Sequence, residues 1–108
     1  MRILLVITRS ELGGAQTVVA ELANRFCGEH EVVVAAGEGD GKLFEMLDSR
    51  VTRVECKHLQ RALSPLKDLR AAIELRRIYR RYRPDVVHLH SSKAATLGRV
   101  AFPRQKIV

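Results

Sequence analysis

Two short stretches of this chain carry the residue types that hold charged or hydroxylated ligands. In Thr8-Arg9-Ser10-Glu11-Leu12-Gly13-Gly14-Ala15-Gln16, adjacent glycines directly precede a helical pattern. Without Cβ atoms the backbone lets a ligand come close, and the first amides of the helix point at it, an arrangement suited to phosphate. The stretch is neither GxGxxG nor GxxxxGK(S/T), which argues against a dinucleotide fingerprint or a P-loop. A plain structural corner between strand and helix would need glycine here as well. The second stretch, His88-Leu89-His90-Ser91-Ser92-Lys93, sets two imidazoles, two hydroxyls and an ammonium where a strand gives way to a helix. His88 and His90 share one strand face and could supply two zinc ligands, but zinc sites need three or four, and no third candidate is evident. His90, Ser91, Ser92 and Lys93 could converge on an anionic or sugar ligand. Read locally, the same residues are an N-cap pair and a solvated lysine.

A third stretch concentrates the charge. Of the net +7, the segment from Arg61 to Arg83 contributes +6, with eight basic residues against Asp68 and Glu74. At about 100° per residue, Lys67, Arg70, Glu74, Arg77 and Arg81 form a polar stripe, and Leu66, Leu69, Ala72, Ile73, Leu75, Tyr79 and Tyr82 are expected largely on the opposite, inward side. Arg76, Arg77, Arg80, Arg81 and Arg83 complement the negative end of a helix dipole and solvate its surface. Arginines beside tyrosines also suit an anionic headgroup layer.

The elements that must position these stretches alternate along the chain. Ile3 to Ile7 is a continuous aliphatic run, the pattern of a strand buried on both faces. From Ala15, the positions Val19, Leu22, Ala23 and Phe26 predict a helix, with Gly28 as its C-cap. Glu31 to Ala36 is a second strand, closed by a loop holding Gly37, Gly39 and Gly41. Lys42 to Leu47 reads as a short helix and Val51 to Cys56 as an edge strand. Ser64 as N-cap, Pro65 at the first helical position and Asp68 near the positive dipole end start a helix that runs to Tyr82 or Arg83, where Pro84 stops it. Asp85 to His90 is the next strand, Ser91-Ser92 cap a helix through Lys93 to Ala101, and Pro103 ends it. Lys106, Ile107 and Val108 look like the first residues of a further strand, so the chain is expected to be cut within a domain. The sum is one α/β domain over residues 1–108, a Rossmann-like parallel sheet with helices on both faces. Ligands in such sheets bind beyond the carboxyl ends of the strands.

Composition bounds the alternatives. With 108 residues, 46% hydrophobic and 29% charged, the chain suits a single globular domain and excludes disorder and collagen. Cys27 and Cys56 lack metal-ligand spacing and are expected as free thiols in a reducing cytosol. The apolar run after Arg2 is too short for a signal peptide, and no segment is long enough to span a bilayer. With two tyrosines, three phenylalanines and no recognised motif, nucleic acid is disfavoured as a partner.

Taken together and in this order, TRSELGGAQ (Thr8 to Gln16), SPLKDL (Ser64 to Leu69) and HLHSSKAATLGR (His88 to Arg99) resemble the N-terminal domain of bacterial family 4 retaining glycosyltransferases of the two-domain GT-B architecture. The likeness extends to EHEVVVAAG and RPDVVHLH and is strongest to members that build cell-surface polysaccharides. It implies an acceptor-side domain of an enzyme that moves a sugar from a nucleotide-diphosphate sugar to a lipid-linked or glycan acceptor. Gly13 and Gly14, with Gln16 nearby, would lie close to the donor diphosphate, and His90, Ser91, Ser92 and Lys93 would line the acceptor side. The family needs no bound metal or other cofactor. Its histidine-glycine loop and donor domain would follow Val108, so no catalytic residue is expected among these 108 and the chain alone is expected to be inactive. The donor domain would be supplied in cis or in trans. Arg77, Arg80 and Arg81 would face an anionic membrane, giving a cytoplasmic location at the inner face of the membrane. The alternative is a non-catalytic membrane- or partner-docking half of a split glycosyltransferase.

Overall fold

The computed structural model describes all 108 residues. Strand β1 (Arg2–Arg9) is followed by helix α1 (Gly14–Phe26), β2 (Glu31–Glu38), the single turn α2 (Lys42–Glu45) and β3 (Thr52–Glu55). Helix α3 (Pro65–Tyr82), β4 (Val86–Leu89) and α4 (Ser92–Ala101) complete the alternation. All strand pairs are parallel, in the order β3-β2-β1-β4. The expected Rossmann-like α/β fold is thus present, with β3 at an edge.

Strand periodicity divides the core into two layers. Ile3, Leu5 and Ile7 point to one face with Val32, Val34 and Ala36, under Val19, Ala20 and Ala23 of α1 and Leu43 of α2. Leu4, Val6, Val33, Ala35 and Val87 point to the other, under Ala71, Leu75 and Ile78 of α3 and Ala94 and Ala101 of α4. Both layers are needed because β1 and β2 are each buried over six consecutive residues. The chain therefore steps outward from β1 to β3 with its helices on one face, then returns along the other face through α3 to place β4 on the far side of β1. Strand order reverses between β1 and β4, and the loops leaving these neighbours diverge to opposite faces. Such a reversal opens a crevice at the carboxyl end of the sheet.

Several local expectations are corrected. Gly28 is not a left-handed C-cap: α1 closes through Cys27 in a right-handed conformation, and the Phe26 carbonyl accepts from the amides of Glu29 and His30 at 3.1 and 2.9 Å. Ser64 stands at the N-cap of α3, but its side chain caps nothing. At the other end Arg83 takes a left-handed conformation, φ 46°, and its amide bonds the Tyr79 carbonyl at 2.8 Å before buried Pro84 prevents continuation. Leu66, Leu69 and Ile73 are exposed rather than inward-facing. The contact line of α3 runs instead along Ala71, Leu75 and Ile78. Glu74 also leaves the expected solvent stripe, turning inward to accept from the amides of Lys57 and His58 at 2.8 and 2.7 Å. Lys106 belongs to a 3-10 turn (Arg104–Lys106), and Ile107 then makes a single parallel bridge to Val87, placing the last residues beside β4 as a further strand would lie.

Candidate functional site

A cavity of about 700 Å³ opens where the strand order reverses. Its walls are Thr8 and Arg9 at the end of β1, Ala15 and Gln16 in the first turn of α1, and His90 to Lys93 at the β4–α4 junction. Arg61, Leu63 and Asp68 close it from the approach and first turn of α3. The two stretches that the sequence singles out thus meet at one crevice, and a segment of the basic stretch joins them.

The two helices entering this crevice start differently. Gly13, fully extended at φ −171°, is the N-cap of α1; it has no side chain to cap with, and no acid stands in the first turn. Its carbonyl takes the amide of Thr17 at 2.9 Å and the Thr17 hydroxyl at 2.8 Å, while the amides of Gly14, Ala15 and Gln16 donate to no protein group. They form an open, positively polarised helix terminus. A Cβ on Gly14 would meet no atom within 4 Å, so the fold does not require glycine there. A Cβ on Gly13 would meet the Gln16 Oε1 at 2.8 Å, at the far end of a flexible side chain. Gln16 itself is held over the loop, its Nε2 donating to the Arg9 carbonyl at 3.2 Å.

Helix α4 caps one of its first amides with a side chain. The Ser91 Oγ accepts from the Ala94 amide at 3.3 Å and also meets Thr8, with its Oγ 2.5 Å from Thr8 Oγ1 and 3.3 Å from the Thr8 amide. Ser91 alone is the cap; the Ser92 carbonyl serves the Thr96 hydroxyl at 3.0 Å. Lys93 is not the solvated lysine of the local reading. Its side chain is 14% exposed and its Nζ donates to Asp68 at 2.7 Å and to the Ala62 carbonyl at 2.8 Å, fixing α4 to the start of α3. The Asp68 carboxylate, which the sequence offers only as a dipole partner, is therefore committed to this ion pair. Gly98 lets α4 lie directly on β4, since a Cβ there would come within 2.7 Å of Leu89.

His90 donates its backbone amide to Val6 at 2.8 Å. Its Nε2 is buried without a hydrogen-bonding partner. Burial, and secondly the neighbouring charge of His88, hold the imidazole below its ordinary pKa, so the ring is neutral near neutral pH. The two rings lie with centroids 5.9 Å apart, and no third His, Cys, Asp or Glu joins them. Beneath the floor, Ser10 is buried: its Oγ donates to the Glu38 carbonyl at 3.3 Å and accepts from Gly41 at 3.1 Å. This contact wraps the 37–41 loop under β1, and positive φ values at Gly39 and Gly41 (133° and 76°) make the wrap possible. Arg9 reaches Glu11 at 2.5 Å. Arg61 and Asp68 were not legible as site residues, because only the crossing of α3 and α4 over the sheet brings them to the opening. Arg77, Arg80 and Arg81 lie exposed on α3, away from the cavity; Arg81 stacks over Tyr82 at 5.4 Å.

A four-stranded parallel sheet covered by helices on both faces defines a Rossmann-like α/β domain. The sequence profile described as Glycosyltransferase Family 4 matches residues 12–108, and the chain belongs to that family. Over 61 residues it is 38% identical to the UDP-Gal:alpha-D-GlcNAc-diphosphoundecaprenol alpha-1,3-galactosyltransferase of Escherichia coli, a match covering 56% of this chain and 16% of that enzyme. Crystal structures of HepE from Anabaena, in complex with UDP and glucose and with UDP-glucose, share its fold. Both have a TM-score of 0.64, at 19% and 20% identity, over 94% of this chain and 26% of HepE. The chain therefore spans a minor part of the proteins it resembles. No helix is long and apolar enough to cross a membrane.

Proposed function

We propose that this chain is the acceptor-side domain of a retaining glycosyltransferase of cell-surface polysaccharide synthesis, moving a sugar from a nucleotide-diphosphate sugar to a lipid-linked or glycan acceptor. The observation that carries the reading is the uncapped start of α1 at the reversal crevice, with three amides free to receive an anion. In this role Gly13 and Gly14, with Gln16, meet the negative charge that develops on the leaving diphosphate. His90, Ser91, Ser92 and Lys93 wall the opposite, acceptor side. His90, neutral near neutral pH, lines this side with its ring, whose Nε2 is buried. A lipid-diphosphate acceptor agrees with the activity for which the E. coli relative is named, and a uridine nucleotide agrees with the ligands of HepE. The basic outer face of α3, including Arg77, Arg80 and Arg81, holds the enzyme peripherally at the inner, cytoplasmic face of an anionic membrane.

In this reading a second domain, in the same chain or a companion, grips the nucleotide, in keeping with the 26% of HepE that this chain covers. With a panel of nucleotide sugars and lipid-linked acceptors, the 108 residues alone are expected to turn over nothing, and to become active when joined to a donor-binding domain. Turnover by the isolated chain would contradict the division of labour. The exposed face of α3 also supports a narrower reading, a docking half without chemistry of its own; inactivity in every combination with a donor domain would favour it.

A further inference from the structure

The outer face of α3 is divided along its length. Directly opposite the buried line of Ala71, Leu75 and Ile78, the first half of the helix presents Leu66 and Leu69, each 59% exposed, and Ile73, 44% exposed. Leu63, just before the helix, is 86% exposed. The same face in the second half presents Arg77 and Arg80, with Arg81 beside them. Leucines turned to water beside lysine and arginine are the composition of a surface that enters a headgroup layer. The +6 balance of residues 61–83 selects an anionic one.

Leu63 belongs both to this surface and to the wall of the cavity, where Arg61 and Asp68 stand beside it. We propose that the Leu63–Leu66–Leu69–Ile73 ridge inserts into an anionic bilayer while the arginine half stays among the headgroups. The helix is thereby tipped so that the cavity opens at the membrane surface, where a lipid-linked acceptor can enter past Leu63 and Arg61. This orientation rests on the proposed transferase reading. Over the roughly 20 Å from Leu66 to Arg80, apolar residues lie toward the cavity and cationic residues away from it, so one end of the helix sits deeper than the other. Lys67 and Arg70 flank the ridge and can extend their charges toward the headgroups along their methylene stems.

The chain contains no tryptophan, so single-tryptophan variants Leu66→Trp and Arg80→Trp report depth directly. With vesicles of phosphatidylglycerol and phosphatidylcholine carrying brominated acyl chains, strong quenching is expected for Leu66→Trp and weak quenching for Arg80→Trp. Leu66→Ser/Leu69→Ser/Ile73→Ser is expected to lower vesicle affinity by about tenfold or more and to remove the part that survives high salt. Arg77→Glu/Arg81→Glu should remove the salt-sensitive part. Circular dichroism on each variant identifies one that fails to fold, and the depth pair then stands without it. Equal quenching at both positions, or an unchanged triple variant, would overturn the proposal. So would an apolar face that instead pairs two copies, seen as concentration-dependent light scattering abolished by the triple serine change. UDP binding measured on the same samples separates the readings: its loss with vesicle binding intact counts against the transferase reading, and the converse counts against the ridge alone.

Discussion

Two helices begin within one crevice, on neighbouring strands of the same sheet, and they differ at the third amide, which Ser91 takes up from Ala94 in α4 and nothing takes up from Gln16 in α1. Helix α4 is braced by side chains: Ser91 caps the Ala94 amide, Thr8 holds Ser91, and Asp68 neutralises Lys93, while the amides of Ser92 and Lys93 donate to no protein group. Helix α1 begins on glycine, with neither a capping side chain nor an acid in its first turn. The dipole is similar at both ends, so the difference lies in what the protein has already placed there.

The largest effect follows from occupying the open end. In an enzyme carrying this domain, Gly14→Val should reduce transfer by at least about a hundredfold, the scale of losing a preorganised donor to developing charge. Since a Cβ there touches nothing in the chain, the melting temperature should hardly move. A folded, fully active variant would reduce the glycine pair to a corner. Next comes the seat of the closed end: Gly98→Val drives a side chain into Leu89 and should destabilise by about 1–3 kcal/mol, read as a lowered urea midpoint. Ser91→Ala removes the cap and strands the Thr8 hydroxyl, at a cost of about 1 kcal/mol; an unchanged midpoint would mean that α4 is not held from within.

The smallest effect is in pH. Because the folded His90 has a lowered pKa, the unfolded chain takes up that proton more readily. The stability linked to His90 is therefore complete above the unfolded value of about 6.5 and is lost as pH falls toward the lower folded value. His90→Gln should flatten this part of the stability profile.

How much of this could be read beforehand differs by level. The strands were plain because β1 and β2 are buried on both faces and their aliphatic runs are unbroken; the glycine pair and the His90–Lys93 junction followed from where such strands end. Rotation about a helix axis was less legible. On α3 the Leu66–Leu69–Ile73 line competes with the Ala71–Leu75–Ile78 line, two apolar stripes on opposite sides of the helix, and only packing on the sheet decides which goes inward. Lys93 shows the same limit at the site, since its partner lies 25 residues away and meets it only across the junction of α3 and α4. Gly28 misled because a glycine after a helix suggests a left-handed cap, whereas Cys27 and the Phe26 carbonyl finish that helix alone.

The contrast between the two termini is tested most directly by titrating the isotopically labelled chain with UDP, and with pyrophosphate in parallel, while following its backbone amides by NMR. The amides of Gly14, Ala15 and Gln16 should shift with both ligands, and that of Ala94, already taken up by Ser91, should stay in place. Shifts confined to the α4 terminus, or no shift at Gly14 to Gln16 at saturating ligand, would contradict the assignment of the diphosphate to the open helix.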